Sequence, residues 1–284
     1  MAYFLALASA ALYGAADFLG GLASRRASTI AIVLVSQAAG LVPLALLLFV
    51  LPGTPSGQDF VWGAIAGLAG SVGVALLYRA LAIGTMSIVA PTTAVCAVMV
   101  PVVVQAFRGE RLPPLTQGGI GLAVVAIVLV SQQDSSESDV AAATRRVIPP
   151  GIGLAFMSGV AIGLFFLALA RTSAGAGLWP LFASRGLSML VFGAIAAAGS
   201  QGLRLDREVL KIAVACGMVD MLANALYLLA SRGGPLSVVV TLASLYPAST
   251  VVLARVVAGE RLSRRQGIGV ACALAAVVVI VSTS

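Results

Sequence analysis

Ten apolar stretches, each close to the length of a bilayer-crossing helix, occupy almost the whole chain and leave only short polar connections between them. A helix needs about 20 mostly apolar residues to cross the hydrocarbon core. Measured against that length, the spans run roughly 3–23, 29–51, 60–82, 86–107, 115–132, 149–171, 176–199, 208–230, 234–257 and 265–282. The residues are 60% hydrophobic and 10% charged. Soluble domains average about 25% charged residues, so lipid has to cover this surface. The expectation is an all-α integral membrane protein of ten transmembrane helices.

The chain also carries one signature twice. Gly109-Glu110-Arg111-Leu112 precedes Gly119-Ile120-Gly121, and Gly259-Glu260-Arg261-Leu262 precedes Gly267-Ile268-Gly269. Each run falls between the fourth and fifth spans of its half. Further positions align: Ser9 with Ser158, Gly14 with Gly163, Ser36-Gln37 with Ser184-Arg185, Tyr78 with Tyr227, and Ser87 with Ser237. The expected domains are a five-helix repeat at 1–133, a polar linker at 134–148 and a second repeat at 149–284. Five spans is an odd number, so the second copy enters from the opposite side of the membrane. The repeats are then inverted, an arrangement characteristic of transporters.

The net charge of +7 is topological. Its carriers are Lys211 and sixteen arginines, mostly in short loops, and they give no reason to expect nucleic-acid binding. With the N-terminus outside, twelve basic residues fall on the cytoplasmic side and four on the outer side, with the intramembrane Arg185 uncounted. Basic residues concentrate in cytoplasmic loops, which favours both termini outside. Met1 to Gly21 has no basic n-region, so no cleaved leader is expected. Cys96, Cys216 and Cys272 lie in apolar segments without C-x-x-C spacing, and the chain has no histidine. They read as small buried hydrophobes rather than metal ligands, and neither metal nor cofactor is expected.

The two Gly-Glu-Arg-Leu blocks, the duplicated five-span layout, Pro91 and Pro101 in the fourth span, and Ala15-Ala16-Asp17-Phe18-Leu19-Gly20-Gly21 in the first together resemble the EamA-type transporters of the drug/metabolite transporter superfamily. The resemblance covers the whole chain. It implies a small-molecule substrate, drawn from amino acids, nucleotide sugars, cationic drugs and other metabolites. It also implies termini inside, against the arginine count. The bacterial inner membrane is the expected location.

Ionised groups at mid-bilayer are costly, about 2.5–3.5 kcal/mol on insertion scales, and mark working sites by default. Asp17, Arg185 and Asp220 lie well inside spans. Asn224 and Tyr227 share a helix face with Asp220, and Ser9, Tyr13 and Asp17 form a similar stripe. Asp17 or Asp220 would bind a substrate amine or a coupling proton, and Arg185 an anionic group. The structural alternative is an Arg185–Asp220 ion pair that fixes packing. Tyr78, Tyr227 and Gln37 complete the candidate set, with packing or interfacial anchoring as the alternative for the tyrosines.

Pro91, Pro101, Pro235 and Pro247 are expected to interrupt equivalent helices as hinges or packing kinks. Glu110 and Glu260 are expected to neutralise Arg111 and Arg261 or to cap the following helix, with gating through breakable ion pairs as the functional alternative. Gly63, Gly67 and Gly70, like Gly159 and Gly163, should make helix-packing surfaces.

These readings favour a secondary transporter exporting a small polar metabolite, amino-acid-like or cationic, by alternating access with proton antiport. No G-x-x-x-x-G-K-[ST] run provides for ATP. The alternative is a lipid or lipid-linked-sugar flippase on the same fold. An intramembrane enzyme has less support, since neither H-E-x-x-H nor G-x-S-x-G occurs.

Overall fold

The computed structural model describes residues 1–107, 114–131, 150–169, 171–198, 204–233, 242–243 and 245–282. Their regular structure is helical: α1 (Ala2–Ser24), α2 (Thr29–Val50), α3 (Gly57–Ile83), α4 (Met86–Phe107), α5 (Pro114–Ser131), α6 (Ile152–Leu169), α7 (Trp179–Ala198), α8 (Arg207–Gly233), α9 (Tyr246–Val256) and α10 (Arg264–Ser282), with a 3-10 turn at Ala174–Ala176. Helices α1, α2, α3, α6, α7 and α8 are each long and apolar enough to cross a bilayer. Shorter apolar stretches, Met86–Val100 and Gly267–Val279, lie within α4 and α10.

The interior is built from small residues. Ala6, Ala23, Ala66, Ala80, Ala155, Ala213, Ala223 and Ala230 are fully buried, whereas Phe49, Phe107, Leu190 and Val256 face outward. Lipid supplies no hydrophobic force between helices, so small residues that permit close backbone approach fill the contacts. Gly217 on α8 is one such point. A Cβ there would lie 2.7 Å from the Ser36 Cα, so α2 and α8 cross backbone against backbone. Gly63 and Gly67 pack on Pro180 and Ser184 of α7, and Gly70 on Phe165 of α6. Gly159 and Gly163 seat α6 against Cys96, Ala97 and Val100 of α4.

Helix α1 packs on α8 and α9, α3 on α6 and α7, α2 on α7 and α8, α4 on α6, and α5 on α10. At one end of the bundle the Arg25 guanidinium reaches the Gly84 carbonyl (3.4 Å), and Gly84 lies against Pro150. The close of α1 and the opening of α6 therefore share that end. At the opposite end the Thr54 N–H donates to the Gly175 carbonyl (2.9 Å), joining the α2–α3 and α6–α7 connections.

The prolines behave differently from the expected interruptions. Helix α4 is continuous through both Pro91 and Pro101. Each still lacks the N–H that would bond the carbonyl four residues back. Pro247 opens α9 in its first turn, after Leu245 at the N-cap, where a missing N–H costs nothing. Pro235 lies outside the described residues. The expected ninth span, 234–257, is described as helix α9 only from Tyr246. Pro43, inside α2, was not among the expected hinges.

Candidate functional site

Helices α1, α2, α7 and α8 bring the intramembrane polar groups together. Arg185 on α7 is 6% exposed. Its guanidinium forms an ion pair with the Asp220 carboxylate of α8 and donates to the Gln37 Oε1 of α2 at 2.8 Å. A side chain at Gly40, one turn beyond Gln37, would collide with that guanidinium. Arg185 thus holds three helices at one level.

The Asn224 amide donates to the Asp220 backbone carbonyl (2.8 Å) and more weakly to its carboxylate (3.4 Å). The Asp220 side chain nevertheless keeps 29% of its surface exposed, against 7% for the Arg185 side chain. The ion pair therefore has a closed side at the guanidinium and an open side at the carboxylate.

Asp17 on α1 lies near the Asp220 member of this pair. It is partly buried and lies within electrostatic reach of Asp220. Among the described residues it has neither a hydrogen-bond nor an ion-pair partner. Tyr13, one helical turn away, senses both aspartates, Arg185 and Tyr227. Its ring stands edge-on to Tyr246 of α9, with centroids 6.4 Å apart. Tyr246 is in turn within reach of Asp17. Among the described residues, a carboxylate without a counter-charge therefore lies near an aromatic pair and an ion pair.

Tyr78 is also within electrostatic reach of Asp17 and Asp220. It is 3% exposed, packs beneath Gly20, and shares a hydrogen bond with the Cys216 thiol (3.1 Å). The thiol continues to the Ala16 carbonyl (3.3 Å). This chain of contacts ties α3, α8 and α1 directly behind Asp17.

Glu260 departs from its expected partners. Gly259 adopts φ 67, a left-handed conformation that glycine takes without strain, and the chain turns as α9 ends. The Glu260 carboxylate then accepts from the Met86 N–H (2.8 Å) and the Ser87 N–H (2.9 Å). It also pairs with Arg25 at 3.2 Å. It therefore caps α4, where the free N–H groups and helix dipole favour a carboxylate, rather than α10 or Arg261. Leu262 packs with Ile88, Ile152 and Val270 beneath the turn. Glu110 and its neighbours lie outside the described residues.

Asp59 was missed at the sequence level. It closes a capping box with Ser56 at the start of α3. It also accepts from the backbone (2.6 Å) and hydroxyl (3.0 Å) of Ser173, binding the α6–α7 connection. The Ser56-x-x-Asp59 spacing is a legible helix-start signal; the reach to Ser173 is tertiary.

Comparison with known proteins agrees with this architecture. The model of the EamA-like transporter family matches twice, at residues 1–132 and 149–282. A solved structure, titled only as a protein crystal structure, superposes with a TM-score of 0.54 at 18% identity, covering 95% of this chain and 96% of its own. That likeness speaks to fold alone. No curated protein matches the chain. Since the family match spans nearly all of a sequence made of long apolar helices, the chain belongs to the EamA-like transporter family and is a multi-pass integral membrane protein.

Proposed function

We propose that the chain is a secondary active transporter that exports a small polar, amino-acid-like or cationic metabolite by alternating access, coupled to proton antiport at Asp17. The observation that carries this reading is the carboxylate of Asp17, which has no partner among the described residues and lies within electrostatic reach of Asp220. A lone carboxylate in an apolar surround is costly unless it binds a proton or a cation.

Ten spans in two inverted five-helix repeats supply the machinery. The packing supports this: exchanging each helix for its counterpart five places on turns α1 on α8 into α6 on α3, and α1 on α9 into α6 on α4, and both pairs occur. The Ser9 hydroxyl donates to the Ala223 carbonyl of α8 (2.8 Å), and its counterpart Ser158 to the Gly73 carbonyl of α3 (2.7 Å). A lipid-flippase reading would want Arg185 free for phosphate, yet Asp220 and Gln37 occupy it.

Protein reconstituted in liposomes should move a radiolabelled candidate amine against its own gradient when a pH difference is imposed. Flux that ignores the pH difference would end the antiport reading.

Glu260 is the gate in this scheme, because its two N–H contacts and Arg25 join α4, the α9–α10 turn and the α1–α2 turn at one end. That end, which carries Arg25, Arg79, Arg207 and Arg264, is cytoplasmic, with both termini outside. Glu260→Ala is expected to speed labelling of a cysteine placed at the buried Ser87 by a water-soluble maleimide, from the cytoplasmic side alone. An unchanged rate counts against the gate, and labelling from outside reverses the orientation.

A further inference from the structure

We infer that the substrate of this site is a monocation, recognised through its ammonium or guanidinium group, and that Arg185 is not available to a substrate carboxylate or phosphate. The inference rests on the transport reading above and narrows it.

The first argument is charge. Among the described residues, the carboxylates and basic groups of the site are Asp17, Asp220 and Arg185. Two carboxylates and one guanidinium leave a formal charge of −1 when all are ionised. A single positive charge from outside completes that balance.

The second argument is occupancy. An anion would have to take Arg185 away from Asp220, yet the guanidinium is the buried half of the pair. One of its nitrogens is held by Gln37, and Gly40 abuts it without a gap. Displacement would leave Asp220 and Asp17 as two neighbouring uncompensated carboxylates, within electrostatic reach of one another. Removing one partner from a buried pair is strongly unfavourable.

The third argument is the wall. Tyr13 is one turn from Asp17 on α1, and Tyr246 meets it edge-on at 64°. Aromatic faces beside a carboxylate attract cations through the ring quadrupole, and the attraction strengthens as the cation is desolvated. An amine with a modest apolar body satisfies both the carboxylate and the rings. A zwitterionic amino acid brings a further carboxylate close to Asp17 and Asp220, so amines and carboxyl-masked amino-acid derivatives are favoured over free amino acids.

The test uses the full-length protein in detergent and a size-matched set: phenethylamine as cation, phenylacetate as anion and 2-phenylethanol as neutral form, with tetraethylammonium and guanidinium as permanent cations. At saturating concentration at least one cation should raise the thermal unfolding midpoint by about 2 °C or more, because a ligand that binds only the folded state stabilises it. Phenylacetate and 2-phenylethanol should not, and Asp17→Asn should remove the shift. A shift with phenylacetate, a shift that survives Asp17→Asn, or no shift with any cation overturns the inference. If Asp17→Asn does not fold, the cation–anion contrast in the unaltered protein decides by itself. Gradient-driven liposome flux of an anion or neutral solute would sink the monocation assignment and leave the transport reading standing. Absence of gradient-driven flux for every solute would sink the transport reading instead.

Discussion

Asp17→Asn is expected to bring coupled transport down to the background of empty liposomes, a loss of 100-fold or more on the order set by removing a charge-bearing ligand from a desolvated site. The same substitution should leave the protein at least as stable as before. Asp17 has no partner among the described residues, so folding gains nothing from its charge and bears the desolvation of a carboxylate. An amide of the same shape lightens that penalty. The midpoint of thermal unfolding in detergent should therefore rise, by about 2–4 °C for each kcal/mol recovered. Activity and stability moving in opposite directions is the mark of a functional residue held at a structural cost. If Asp17→Asn transports normally, the coupling site lies elsewhere; if it does not fold, the cation–anion contrast in the unaltered protein decides.

Arg185→Ala should have the largest effect on folding. The guanidinium links α7 to Gln37 of α2 and Asp220 of α8. Breaking a buried pair by removing one member typically costs about 3–5 kcal/mol, because the remaining charge is left uncompensated. The Gly40 crossing adds to this, since the space beside that glycine is filled by the arginine itself. The double variant Arg185→Gln with Asp220→Asn removes both charges and keeps hydrogen-bonding groups of similar shape. It should recover most of the lost stability, and the coupling energy of a double-mutant cycle measures the pair directly. Arg185→Ala alone with an unchanged unfolding midpoint would show that the pair contributes nothing to the bundle. The double variant should still bind a monocation, because Asp17 is untouched.

Much of the fold is legible along the chain, for a physical reason. A hydrocarbon slab imposes one length and one composition on whatever crosses it. The expected spans 3–23 and 29–51 accordingly match α1 (Ala2–Ser24) and α2 (Thr29–Val50) to within a residue. Helix ends set by local chemistry are likewise open to reading, as the Ser56–Asp59 box at α3 illustrates. The candidate site is legible only as an inventory. Mid-span charge flags Asp17, Arg185 and Asp220, and an Arg185–Asp220 pair is among the sequence readings; that the pair forms, with Gln37 as a further partner, rests on which helices meet.

Glu260 shows where the reading stops. Its neighbours in sequence are Arg261 and the start of α10, and both are plausible partners by proximity. Its partners in space are Arg25 and the first turn of α4, 235 and 173–174 residues away. Only the left-handed turn at Gly259 and the docking of α9 beside α4 bring them together. Tyr78 is a parallel case: by alignment it is the counterpart of Tyr227, yet it is buried against Gly20 and Cys216 while Tyr227 is partly buried near Tyr13.

The sequence by itself determined that this chain lives in a membrane as a set of apolar helices, that two Gly-Glu-Arg-Leu blocks recur, and that three ionised groups lie where ionised groups are costly. The tertiary structure decided which of the three has no counter-charge among the described residues. Hydrophobic length is a one-dimensional property, readable residue by residue. Charge compensation depends on which helices meet, and here α7 meeting α2 and α8 gives Arg185 to Asp220 rather than to Asp17.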